Sequence, residues 1–169
     1  MRKFLLGALL LSVTFIQAEN LKLQRIKDGD TVVFNKGVTC RLSYVDTPES
    51  YPNKKATRDV ANCNGVTLDE VVTSGRYAKR YLGSIMQKGS TYNVDIKGED
   101  RYGRSICVIY NEQKQSINEM LVRNGFAVPY WRYIKDYNTR SRMKEYVRHA
   151  QSNNKGLWRT HRAVMECMN

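Results

Sequence analysis

Downstream of residue 20 the apolar residues fall in short segments: Leu21, Leu23 and Ile26 in one, the run Thr31 to Phe34 in a second, and Val38 to Val45, alternating with polar residues, in a third. A period of two is the mark of half-buried strands, so these segments predict a three-stranded β-meander. Asn35-Lys36-Gly37 supplies hairpin chemistry between the second and third strands, and Asp28-Gly29-Asp30 falls at the first turn. Residues 50–74 carry Pro52, Asn53, Asn62, Asn64 and Gly65 without regular periodicity, and are expected to form an exposed loop. The period then changes. Tyr77, Tyr81 and Ile85 recur every four residues beside Ala78, Leu82 and Met86, the stripe of a helix packed on a sheet, ended by Gly89. Alternation returns at Thr91 to Ile96 and at Ser105 to Tyr110, with a loop over residues 98–103 between them. Ser116-Ile117-Asn118-Glu119 reads as a capping box opening a short helix that stops at Asn124-Gly125. A last helix is expected from about Thr139 to Gly156, with Met143, Tyr146, Val147 and Ala150 on one face. Five strands with a helix inserted after the third give an α+β fold: a five-stranded OB-type β-barrel with three helices.

Arg2 and Lys3, an apolar run from Phe4 to Ile16 and Gln17-Ala18 form the n-region, h-region and small cleavage-site residue of a signal peptide. The run is shorter than the roughly 20 residues that cross a bilayer, so cleavage after Ala18 is expected rather than a membrane anchor. The expected organisation is a signal peptide over 1–18 and one domain over 19–169, exported to a periplasmic, secreted or surface-associated location. Cleavage would remove two cations from a chain whose net charge is +12 and leave it strongly basic. Such a domain meets polyanions, because each phosphate contact releases condensed counterions. Cys40, Cys63, Cys107 and Cys167 are an even number in an oxidising compartment, so one or two disulfides are expected, with all three pairings open. Without a CxxC pair, and with only His149 and His161 to add, a zinc site is disfavoured. Both histidines are expected to be exposed or packing residues.

The chemistry sits at strand ends. Asp28-Gly29-Asp30-Thr31, the run Arg41 to Glu49, and Asp100-Arg101-Tyr102-Gly103-Arg104 supply carboxylates and two guanidinium groups. Oxygen clusters suit Ca²⁺ or Mg²⁺, arginine forks grip phosphate oxygens, and a spare carboxylate activates water. These parts, with Arg41 and Arg104 as the two guanidiniums among the three arginines of those segments, suit a metal-dependent nuclease. Arg41 and Asp46 differ by an odd number of residues, so a regular strand would send them to opposite faces; the strand must break or bulge between them. Pro48 holds Thr47 extended, which would turn its carbonyl toward an ion.

The ordered blocks resemble the staphylococcal nuclease (thermonuclease) family from about Leu21 to Trp158: Asp28-Gly29-Asp30-Thr31, Arg41 five residues before Asp46, Val45-Asp46-Thr47-Pro48-Glu49, Asp100 to Arg104, and Asn118 to Gly125. The resemblance implies a calcium-dependent endonuclease that cuts DNA and RNA with little base preference and leaves 3′-phosphates. Carried over by position, it makes Asp30, Asp46 and the Thr47 carbonyl the calcium ligands, with Asp28 acting through water. Glu49 becomes the general base and Arg41 and Arg104 the phosphate grips. Tyr102 would lie at the 3′-phosphate side of the nucleotide, and Tyr133 and Trp131 would stack on the base, with Tyr130 one residue out of register. The stretch between Glu49 and Arg104 is longer than the family's, chiefly around Cys63.

The expected partners are DNA and RNA, the expected state is a monomer, and the short apolar run predicts no stable membrane insertion after cleavage. Lys54, Lys55 and Arg58 are expected in a solvated loop, where they would at most track a nucleic-acid backbone, and Tyr77 and Tyr81 in the core. Two rival functions are an OB barrel that holds nucleic acid without cutting it and a surface protein whose basic charge binds anionic polymers. The first would retard DNA without cleaving it; binding by the second would fall with salt and be indifferent to Ca²⁺.

Overall fold

The structure is a computed structural model that describes residues 18–169; apart from Ala18, the expected signal segment lies outside the described residues. In β1 (Glu19–Asp28), Leu21 and Leu23 are buried while Asn20, Lys22 and Gln24 face water. Register shifts between Leu23 and Arg25 and between Ile26 and Asp28 bend the strand, as bulges do. Its first residues therefore pair with β5 (Thr91–Glu99) and its last with β2 (Thr31–Phe34). That double pairing closes a barrel in the order β1-β2-β3-β6-β5. Within it β3 (Thr39–Leu42) runs parallel to β6 (Ser105–Tyr110), and the other neighbours are antiparallel. The β2–β3 turn is a single 3₁₀ turn over Asn35–Gly37, with Lys36 and Gly37 at positive φ, as the Asn-Lys-Gly chemistry predicts.

The third predicted strand breaks where the odd spacing required. It stops at Leu42, Tyr44 takes the left-handed conformation (φ 68°), and β4 (Val45–Asp46) leaves the barrel to pair with β7 (Val128–Pro129). Tyr130 N donates to the Tyr44 carbonyl at 2.7 Å and fixes the break.

The described residues hold six helices where three were expected. The segment expected as a loop contains α1 (Lys54–Asn62) and the beginning of α2 (Leu68–Ile85). Asn53 caps α1, its Oδ1 accepting from the Lys55 and Ala56 amides, and Thr67 with Glu70 makes a reciprocal capping box on α2. The apolar stripe of α1 is short: Ala56 is its one fully buried residue, with Val60 one turn on packed beside it against the second core cluster. At α3 (Ile117–Arg123) the expected box is half-formed: Ser116 Oγ accepts from the Glu119 amide, whereas the Glu119 carboxylate accepts from Arg142 and Tyr146 instead. α4 (Tyr137–Ser152) is followed by α5 (Leu157–Thr160) and α6 (Arg162–Met168), so the tail is helical.

One core fills the barrel with Leu21, Phe34, Leu42, Val94 and Ile109 and continues outward through Leu82, Leu121, Met143 and Trp158. A second, smaller cluster of Ala56, Cys63, Val66, Val71 and Val164 seats α1 against α2 and α6. Cys40–Cys107 staples β3 to β6, and Cys63–Cys167 ties the end of α1 to α6, each with Cα atoms 5.6 Å apart. Tyr81 is half-buried and stacks on Phe126 at 4.2 Å, in line with a core role. Tyr77 instead faces outward beside Arg80 and His161.

Candidate active site

The β1–β2 turn, the end of β3, β4 and the N-terminus of α1 converge on a cleft of about 650 Å³. Asp30 is buried at the turn. Its Oδ2 accepts from the Thr47 amide (3.2 Å) and hydroxyl (3.1 Å), and the Thr31 hydroxyl donates to Oδ1. Gly29 is required here, because a Cβ would meet the Thr47 side chain and the Ala78 methyl.

The strand break brings Arg41 and Asp46 together. Arg41 donates to the Val45 carbonyl at 2.9 Å and bridges Asp30 Oδ2 (2.9 Å) and Asp46 Oδ1 (2.7 Å). Burial opposes its charge, but Asp30 and Asp46 outweigh burial and raise the guanidinium pKa further. Asp28 lies behind them, accepting from the Gly29 and Ser50 amides. Burial, with Asp30 and Glu49 nearby, raises its carboxyl from 3.8 to about 6.

Glu49 is held at both oxygens. Asn53 Nδ2 donates to Oε2 at 2.6 Å, and Lys55 Nζ lies 3.3 Å from Oε1. The residue that caps α1 therefore also aims Glu49. Lys55, expected in a solvated loop, reaches into the acids: Nζ is 3.4 Å from Asp46 Oδ2 and 3.3 Å from Asp59 Oδ2, and donates to the Thr47 carbonyl at 3.3 Å. Burial disfavours the ammonium, yet Asp46, Glu49 and Asp59 outweigh it and hold its pKa above the ordinary lysine value.

Arg104 stands across the cleft on the loop before β6, half-buried. Its Nε and Nη2 donate to Asp100 Oδ2 at 2.8 and 2.7 Å, while the Tyr102 and Arg104 amides donate to Asp100 Oδ1. Burial works against the Asp100 charge, but these hydrogen bonds outweigh it and hold the carboxyl below its usual range. The exposed ring of Tyr102 lies under both Arg101 and Arg104. An adjoining cleft of about 670 Å³ shares Arg41, Tyr102, Arg104 and Tyr130 and extends to Tyr133.

The fold thus gathers Asp28, Asp30, Arg41, Asp46, Thr47, Glu49, Tyr102 and Arg104 at one end of the barrel, with Tyr133 at its edge. Trp131 is not brought there. Its indole Nε1 donates to the Asn169 carbonyl and its ring lies under Arg140, whereas Tyr130 reaches the cleft and packs edge-on to Tyr133 at 4.7 Å. Four residues without an assigned role complete the site: Asn53, Lys55, Asp59 and Asp100. Asn53 ahead of a charged segment was a legible cap signal, and Lys55 with Asp59 is an i,i+4 pair on α1.

Among the described residues no three His, Cys, Asp or Glu side chains close on a point by themselves. Arg41 and Lys55 stand between the acids instead. The donors are hard oxygens, two carboxylates and a backbone carbonyl, of the type calcium takes, and part of the set already surrounds the Lys55 ammonium. Asp30, Asp46 and the Thr47 carbonyl are the groups whose chemistry would suit such an ion.

A closed OB-type barrel with paired acids and guanidiniums at one end defines the class: an α+β nuclease-like barrel of the SNase type. The family model described as "Staphylococcal nuclease homologue" matches residues 39–160, and the chain belongs to that family. An "Uncharacterized endonuclease" of Haemophilus influenzae is 30% identical over 166 residues, covering 93% of this chain and 79% of that protein. A protein of the same description from Escherichia coli O157:H7 is 27% identical over 140 residues, 81% of this chain and 75% of the other. "Endonuclease YhcR" of Bacillus subtilis is 26% identical over 151 residues; they are 85% of this chain but span only 12% of that protein.

Proposed function

We propose that this protein is an exported, calcium-dependent, sugar-nonspecific endonuclease that hydrolyses DNA and RNA to 3′-phosphate products and acts as a monomer. The observation that carries the reading is the meeting of Asp30, Asp46, the Thr47 carbonyl and Glu49 with Arg41 in one cleft that Arg104 faces. Family membership supports nuclease chemistry, and the relatives' descriptions support endonucleolytic cutting. Two disulfides between described residues favour an oxidising compartment, the expected signal peptide points the same way, and no described helix is long and apolar enough to cross a membrane.

Asp30, Asp46 and the Thr47 carbonyl would hold the ion, with Asp28 acting through water. When bound, the ion supplies Lewis-acid charge neutralisation at a phosphate oxygen. The chain's own groups do the rest. Glu49, aimed by Asn53, takes a proton from water as the water oxygen bonds to phosphorus. The bond from phosphorus to the 5′-oxygen breaks, and the phosphate stays on the 3′ side. Arg41 and Arg104 keep their protons and donate to the equatorial oxygens as charge gathers there, so the departing 5′-oxygen takes its proton from solvent. Tyr102 and Tyr133, with Tyr130 in the place first given to Trp131, would receive the nucleotide.

Plasmid DNA and RNA incubated with the protein in Ca²⁺, in Mg²⁺ and with a chelator test the proposal. Cleavage of both by Ca²⁺ alone, with new 3′-phosphate ends, is expected. DNA retarded but uncut would instead mark a binding module.

A further inference from the structure

Lys55 Nζ is shared rather than committed. Its distances to Asp46 Oδ2, Glu49 Oε1, Asp59 Oδ2 and the Thr47 carbonyl run from 3.3 to 3.4 Å, longer than a strong charged hydrogen bond. Asp46 and the Thr47 carbonyl are groups assigned above to the ion, and Glu49 faces the same space. A divalent ion and an ammonium cannot both sit at contact distance from those oxygens, because their mutual repulsion in a partly buried site is poorly screened. Asp59 differs from the other acids. It lies one helical turn beyond Lys55 on α1, is mostly buried, and also faces Arg58. It can therefore keep the ammonium after the inner oxygens are given up.

We propose that Lys55 is the resident counter-cation of this site: the divalent ion displaces it on binding, and Asp59 retains the displaced ammonium. This rests on the calcium reading above. Without metal, Lys55 and Arg41 together relieve repulsion among Asp30, Asp46, Glu49 and Asp59, and the catalytic geometry stays assembled. The cost of expelling Lys55 is subtracted from ion binding, so this lysine weakens ion affinity.

Calcium titration calorimetry on the full protein without nucleic acid tests the exchange in wild type, Lys55→Met, Lys55→Arg, Asp59→Asn and the Lys55→Met/Asp59→Asn double variant. Lys55→Met should tighten calcium binding on the order of tenfold, while Lys55→Arg, which keeps the charge, should stay near wild type. Asp59→Asn should weaken binding in the wild-type background, where it removes the refuge of the ammonium, and have no effect once Lys55 is Met. Unchanged or weaker binding by Lys55→Met overturns the exchange. Equal weakening by Asp59→Asn in both backgrounds makes Asp59 an ion ligand and overturns its retaining role. Absence of calcium heat in every form overturns the calcium reading itself. If Lys55→Met is unfolded without metal, recovery of a cooperative thermal transition in calcium supports the exchange, and failure to recover it counts against the exchange.

Discussion

Gly75 on α2 lies directly against the backbone of Glu49: a Cβ at residue 75 would overlap the Glu49 carbonyl and crowd that of Pro48. The helix thereby sets the height of the segment that carries the proposed base. Gly75→Ala should cost roughly 1–3 kcal/mol through overpacking and slow cleavage by pushing Glu49 out of line. Gly83→Ala is the control on the same helix, since its Cβ would meet Ile26 at an ordinary 3.6 Å. It should be neutral or gain up to about 1 kcal/mol. Thermal unfolding and plasmid cleavage of the two variants measure the contrast.

Glu49→Gln keeps an amide in the place of the carboxylate and removes the proposed base. Turnover should fall at least on the order of a hundredfold while the melting temperature stays within a few degrees of wild type. Arg104→Ala should slow turnover to a similar degree by removing a proposed phosphate grip. Near-normal cleavage by either variant would sink the mechanism.

Asp100 ties Arg104 to its loop by hydrogen bonds that favour the carboxylate, so its folded pKa lies below the ordinary value of 3.8. A depressed carboxyl stabilises the fold above its unfolded pKa, and the gain is lost as pH falls through the folded value. Asp100→Asn should therefore lower the melting temperature at pH 7, and the gap to wild type should close below pH 3.8. A gap that is constant with pH would mean the carboxylate charge is not what holds the loop.

Cys63–Cys167 closes a long loop across the second core cluster and ties α6 to the end of α1. Cys167→Ser should cost about 2–4 kcal/mol, seen as a lower melting temperature in non-reducing buffer. Reductant should lower the wild type toward the same value, apart from whatever Cys40–Cys107 adds. Protease should then cut first at the C-terminal helix.

Asp28, Asp30, Arg41, Asp46 and Glu49 were singled out by the ordered blocks that carry the family resemblance, and the strand pattern placed most of them at or just beyond strand ends. The break at Tyr44 followed from the odd interval between Arg41 and Asp46. α1 was hidden for a physical reason: in nine residues its apolar face is only Ala56 and Val60, and its seat is built by Cys63, Val66, Val71 and Val164 from other parts of the chain. Lys55 was lost with it. The stacking aromatics failed differently, since the 3₁₀ turn over Trp131–Tyr133 sends Trp131 toward Asn169 and leaves Tyr130 in the cleft. Sequence register alone does not see that rotation.

The Cys40–Cys107 bond gives the barrel end one more property. Cys40 precedes Arg41, and its register partner Ser105 follows Arg104, so the strands that present the two guanidiniums are joined covalently beside their bases. A parallel ladder three residues long would fray early on warming. With the staple in place, Arg41 and Arg104, the two phosphate grips proposed above, keep their span while neighbouring strands breathe.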